Sequence, residues 1–135
     1  MSYQVINPAS LGAPKGWNNG MLAPAGGRLL FIAGQIAADA SGRLRAEGFV
    51  EQFAEALKNV LTIVRDAGGE PSDIGQLTVF VTDRAAYLAN LKPLGAAYRE
   101  LMGRHYPAMA LVEVNALVLD AALVEIKGIA VIADR

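Results

Sequence analysis

Two apolar runs near the C-terminus, Pro107 to Val114 and Val124 to Ile132, alternate their side chains with a period of two. In the first, Met109, Leu111, Glu113 and Asn115 share one side, and Ala110, Val112, Val114 and Ala116 the other. In the second, Leu123, Glu125 and Lys127 alternate with Val124, Ile126 and Gly128. This is strand periodicity, because successive side chains leave a pleated backbone on opposite faces. The connection Val118 to Ala122 has hairpin length, which predicts that the two strands pair antiparallel. With Leu117 opposite Leu123, Glu113 falls opposite Lys127 and Asn115 opposite Glu125. That face reads either as a solvated surface with a cross-strand ion pair or as a polar site.

The rest of the chain follows the same rules. Tyr3 to Ile6 reads as a short strand ended by Asn7-Pro8, since proline drives its predecessor out of the helical region. A loop through Trp17 leads to Met21-Leu22. Arg28 to Ile36 reads as a strand apolar on both faces, with Gly34 marking a bulge, a close backbone approach or a relief of twist. From Phe49 to Ala67, Val50, Phe53, Ala54, Leu57, Val60, Leu61 and Val64 keep helical spacing. Glu51, Gln52, Glu55, Lys58 and Asn59 are assigned to the outer face of that helix, and Gly68-Gly69 stops it. Ile74 to Thr82 is a strand. Arg84 to Met102 is helical in two pieces, because Pro93 is tolerated only in a first turn and Asn90 can cap a fresh start.

The order is three strands, a helix, a strand, a helix and two strands. This predicts an α+β domain spanning 1–135, a mixed sheet with two helices packed on one face. The other face, reached by Val79 or Phe80, is apolar and uncovered. Hydrophobic residues make up 53% of the chain, above the usual share of about 45–50%, and a second copy of the chain is the expected cover.

Several function classes fall away on composition. The chain of 135 residues has no cysteine and a single histidine, which excludes disulfides, thiolate chemistry and a histidine-built zinc site; no metal is expected. Its 12 basic and 13 acidic residues give a net charge of -1 with no basic run, so no nucleic acid is expected as a partner. The N-terminal residues lack a signal-peptide pattern and no apolar run approaches membrane-spanning length, which predicts no membrane association and a cytoplasmic location. His105 follows the second helix, where a cation complements the helix dipole.

Ala33-Gly34-Gln35, Thr78-Val79-Phe80-Val81, Tyr106-Pro107-Ala108, Val112-Glu113-Val114 and Val124-Glu125-Ile126 occur in an order and spacing that covers almost the whole chain. Together they resemble the Rid family, also called YjgF or reactive-intermediate deaminase and, historically, L-PSP endoribonuclease. The resemblance implies a chorismate-mutase-like fold and a homotrimer whose sheets line a central barrel. It also implies three clefts between subunits that bind small carboxylates or keto acids, and hydrolysis of enamines and imines without a cofactor.

Carried over by position, Gly34 matches the glycine whose backbone contacts ligand, and Glu125 the acid that positions or activates water. Trp17 lies where active members have a cleft tyrosine, Met109 where an arginine pairs with the substrate carboxylate, and Leu111 where a small residue or cysteine lines the cleft. Ala33 replaces a serine and Gly95 an asparagine. A thioether cannot reproduce arginine's planar fork on a carboxylate, and losing that contact costs on the order of 2 to 5 kcal/mol. If Trp17, Met109 and Leu111 line the pocket of Glu125, they raise its pKa and make it a usable acid. Three functions stand on these residues. They are a deaminase acting on imines less acidic than the family norm, a non-catalytic trimer holding a neutral or aromatic metabolite or a keto acid, and a holdase-like protein working through apolar surfaces.

Overall fold

The computed structural model describes residues 2–133, so that Met1, Asp134 and Arg135 of the domain read from the sequence lie outside it. Strands β1 (Gln4–Ile6) and β2 (Gly20–Leu22) form a small antiparallel ladder. The main sheet holds β3 (Arg28–Gln35), β4 (Ile74–Val81), β5 (Ala108–Glu113) and β6 (Val124–Ile132), in the spatial order β3-β6-β4-β5. Helix α1 (Phe49–Asp66) joins β3 to β4, and the broken pair α2 (Arg84–Ala89) and α3 (Leu91–Met102) joins β4 to β5. Among the described residues, no helix is long and apolar enough to cross a membrane.

The helices cover one face of the sheet, as the helical spacing requires. Phe53, Ala56, Leu57, Val60, Leu61 and Val64 of α1 meet Leu77, Val79 and Val81 of β4 and Val124, Ile126, Ala130 and Ile132 of β6 in one buried core. Phe80, one residue out of step with Val79, points to the opposite face. There Leu29 is 64% and Phe31 73% exposed, so within one chain that face leaves large apolar groups uncovered beside Thr78, Glu125 and Lys127. The break between α2 and α3 falls at Asn90, whose side chain donates to the Ala86 carbonyl at 2.7 Å and does not cap α3.

The expected hairpin does not form. β5 pairs in parallel with β4, Leu77 beside Met109 and Val81 beside Glu113, while β6 lies between β4 and β3 and is antiparallel to both. Burial explains the choice. Val124, Ile126, Gly128, Ala130 and Ile132 are all buried along one side of β6, and only a central strand beneath the helices hides a whole side of this kind. The ion pair expected from the hairpin register is therefore absent: Lys127 lies opposite Thr78 and Glu125 opposite Phe80. Glu113 is on the other side of the sheet and accepts the Arg84 backbone N–H at 2.8 Å, at the start of α2.

Residues 114–123 carry the chain from the edge strand back to the centre, and Gln52 holds them there. Its Oε1 accepts the Leu123 N–H at 2.8 Å and its Nε2 donates to the Ala121 carbonyl at 3.0 Å. The sequence placed Gln52 on the outer face of the helix; it is 1% exposed, because two backbone groups of the crossing segment need a partner there. Gln52→Ala should lower stability by about 1–2 kcal/mol, since it removes two part-buried hydrogen bonds. Urea unfolding measures this, and a midpoint equal to wild type would mean that other contacts hold residues 114–123.

Candidate functional site

The site is assembled from the loop before β2 and the turn before β5. Asn18 donates its backbone N–H to the Pro107 carbonyl at 3.2 Å and its side-chain amide to the Tyr106 carbonyl at 2.6 Å. Asn7 ties down the same loop, donating to Asn18 Oδ1 at 2.9 Å and accepting the Asn19 N–H at 2.7 Å. The Trp17 indole N–H donates to Asn19 Oδ1 at 3.1 Å, which fixes the ring at the start of β5. Tyr106 stacks on Tyr98 of α3, with centroids 5.2 Å apart and planes 14° from parallel. The Tyr98 hydroxyl donates to the His105 carbonyl at 2.6 Å, and His105 Nε2 lies 2.6 Å from the Ile74 carbonyl oxygen. Burial, followed by the neighbouring Tyr106, raises the Tyr98 pKa above the ordinary tyrosine value, so its proton stays on that hydrogen bond.

These contacts frame a cavity of about 510 Å³ between α3 and β5, with Trp17, Leu94, Tyr98, Tyr106, Met109 and Leu111 in its wall. Met109 and Leu111 face it because they pair with Leu77 and Val79, whose side chains point towards the helices. Gly95 also lines it. Three positions at which the resemblance implied lost polar groups, Gly95, Met109 and Leu111, thus share one wall with Trp17.

Gly34 and Glu125 form a second group. A Cβ built on Gly34 would lie 2.6 Å from Glu125 Oε2 and 2.7 Å from its Cδ, so the bare backbone of the glycine makes room for the carboxylate. The strand is also irregular here, with a register shift between Ile32 and Gln35, and it ends at Gln35, one residue short of the expected Ile36. Ala33 is beside Gly34 on β3 and does not belong to the cavity wall.

The five expected residues therefore separate into Trp17, Met109 and Leu111 on the helix side and Gly34 with Glu125 across the sheet. The apolar pocket expected around Glu125 does not exist within one chain, because Glu125 is in register with Phe80 whereas Leu111 is in register with Val79. Sequence reasoning missed Lys15 and Arg99, both in the cavity wall. The available signal was Gly95, four residues before Arg99 on the same face of α3.

An α+β domain with a metabolite-sized cavity at the edge of a mixed sheet is the class defined by this geometry. The family model described as Endoribonuclease L-PSP matches residues 9–132. The RutC family protein y4sK of Sinorhizobium fredii is 36% identical over 104 residues, 76% of this chain and 79% of its own. The 2-iminobutanoate/2-iminopropanoate deaminase of Salmonella typhimurium is 35% identical over 108 residues, 78% of this chain and 80% of its own. A crystal structure of a protein of unknown function from the conserved Rid family, YyfB of Yersinia pestis, superposes with a TM-score of 0.85 at 30% identity, covering 98% of this chain and all of the other. E. coli TdcF, solved with bound serine, superposes with a TM-score of 0.65 at 31% identity over 89% of this chain and 91% of its own. The chain belongs to the Rid family of L-PSP endoribonuclease-like proteins.

Two predictions follow from this geometry. Gly34→Ala should change stability by less than about 1 kcal/mol, because the clash falls on the end of a flexible side chain, while displacing the Glu125 carboxylate. A crystal structure of the variant with Glu125 unmoved would contradict the close approach. For Tyr98, the folded pKa lies above the unfolded one, so its contribution is fully present below about pH 10 and declines above it, as the unfolded phenol ionises. Tyr98→Phe should flatten the fall in thermal stability between about pH 10 and 11, and an unchanged slope would show that Tyr98 is not its source.

Proposed function

We propose that this protein is a homotrimeric, cytoplasmic, single-domain member of its family that binds small metabolites in the cavity beside Trp17, Met109 and Leu111 and hydrolyses reactive imines there. The observation that carries the reading is the cavity itself. Its volume of about 510 Å³ suits a small molecule, and its wall includes Trp17, Met109 and Leu111, three of the five positions that the family resemblance marks as the ligand site. Relatives named as imine deaminases and a neighbour solved with bound serine support the reading.

The trimer supplies what one chain lacks. The uncovered face with Leu29 and Phe31 turns inward against other copies, and the Gly34–Glu125 edge of one subunit meets the cavity of the next. In that arrangement Glu125 takes a proton from water as the oxygen attacks the imine carbon, and the imine nitrogen is protonated. The resulting carbinolamine expels ammonia and leaves the carbonyl product. One carboxylate serves both transfers. With Met109 in place of arginine, the substrate preference moves away from the smallest imino acids towards ones with larger apolar groups.

A coupled assay on wild type, Glu125→Ala and Met109→Arg, with 2-iminopropanoate and a bulkier aromatic imine, tests the reaction. Wild type should prefer the bulkier imine, and Glu125→Ala should lose about 10²- to 10⁴-fold in turnover. If wild type is inert while ligands still bind saturably, the cleft is a metabolite-binding site without the chemistry. Sedimentation should give three chains per particle, and Phe31→Asp should reduce the assembly; a monomeric wild type would remove the cross-subunit role of Glu125.

A further inference from the structure

The cavity wall contains cations but no carboxylate: Lys15 and Arg99 are its only charged members. Neither has an ion-pair partner among the described residues, where the ion pairs are Arg45–Glu55 and Lys58–Glu55. Arg99 occupies the last turn of α3, a position from which an arginine could serve the terminal carbonyls of its helix. It points the other way. Its Nη1 lies 3.1 Å, and its Cζ 3.9 Å, from the place where Gly95 would carry a Cβ, one turn back towards the helix N-terminus. Because residue 95 has no side chain, the guanidinium rests on the backbone of α3 with its donors at the wall shared by Trp17, Tyr98 and Met109.

We infer that Arg99, in a wall whose other charged residue is Lys15, receives the carboxylate of the ligand, so that the anion is held from the helix and not from the strand position occupied by Met109. This rests on the reading of the cavity as a metabolite site and assigns to it the residue that holds the anion, for a carboxylate joined to a bulky apolar or aromatic body. The body lies among Leu94, Tyr98, Met109 and Leu111, where an arginine from the strand would have filled the space. The planar fork of Arg99 matches a carboxylate in two parallel hydrogen bonds. Gly95 leaves room for this placement, since a Cβ there would come within 3.1 Å of Nη1 and press on the guanidinium.

The test titrates the purified full-length protein with hydrocinnamate and with its neutral isostere hydrocinnamide, following backbone amide shifts by NMR, for wild type, Arg99→Met and Arg99→Lys. Wild type should bind the carboxylate more tightly than the amide. Arg99→Met should weaken the carboxylate about tenfold or more and leave the amide unchanged, with Arg99→Lys in between. Amide spectra of the unliganded variants establish that they are folded. Equal carboxylate binding by wild type and Arg99→Met overturns the assignment of Arg99 while leaving the cavity as a ligand site. If neither probe shifts residues of the cavity wall in wild type, the cavity reading fails and the inference fails with it.

Discussion

Everything in this fold depends on β6 occupying the centre of the sheet. Its buried side, from Val124 to Ile132, lies beneath the helices, and its backbone is paired along both edges. A chain that has just completed β5 at the sheet edge can reach that slot only by crossing the end of β4. The crossing segment carries backbone donors and acceptors through a partly buried region, where each needs a partner. Gln52 supplies two, Val81 accepts the Val114 N–H at 2.8 Å, and Leu123 accepts the Thr82 N–H at 3.2 Å. A local hairpin is given up for a central strand because the apolar area hidden by the latter is larger.

That topology also decides where chemistry can occur. β3 and β5 form opposite edges of the sheet, so the groups they carry cannot meet within one chain. Strand parity separates β5 from β6 as well: Met109 and Leu111 turn towards the helices, and Glu125 of β6 turns away. The cavity wall and the Gly34–Glu125 pair thus lie on different faces of the sheet, and Leu29 and Phe31 are exposed on the side that the helices leave open. Within one chain, nothing among the helices reaches that face.

Within the cavity, Met109 and Leu111 supply apolar wall, and Gly95 leaves the surface of α3 bare. Arg99 rests in the cleared place. The wall is not neutral, because Lys15 and Arg99 are part of it.

Much of this was legible in the residues. The helical spacing of Phe53, Leu57, Val60, Leu61 and Val64 and the break forced by Pro93 reflect local backbone geometry and the width of an apolar stripe, and both are properties of short windows. The strands of the main sheet, and the apolar character of both faces of β4, followed from a period of two. The partner of each strand did not, because alternation reports which side of a strand is buried and says nothing of its neighbour. Gln52 read as an outer-face residue because its partners, Ala121 and Leu123, lie some seventy positions away. For the site, the family resemblance selected Trp17, Gly34, Met109, Leu111 and Glu125, while only tertiary structure divided them between two faces and turned Arg99 back over Gly95. Local pattern is written into consecutive residues, whereas register, parity between strands and the direction of a long side chain arise from contacts that exist only after the chain has closed on itself.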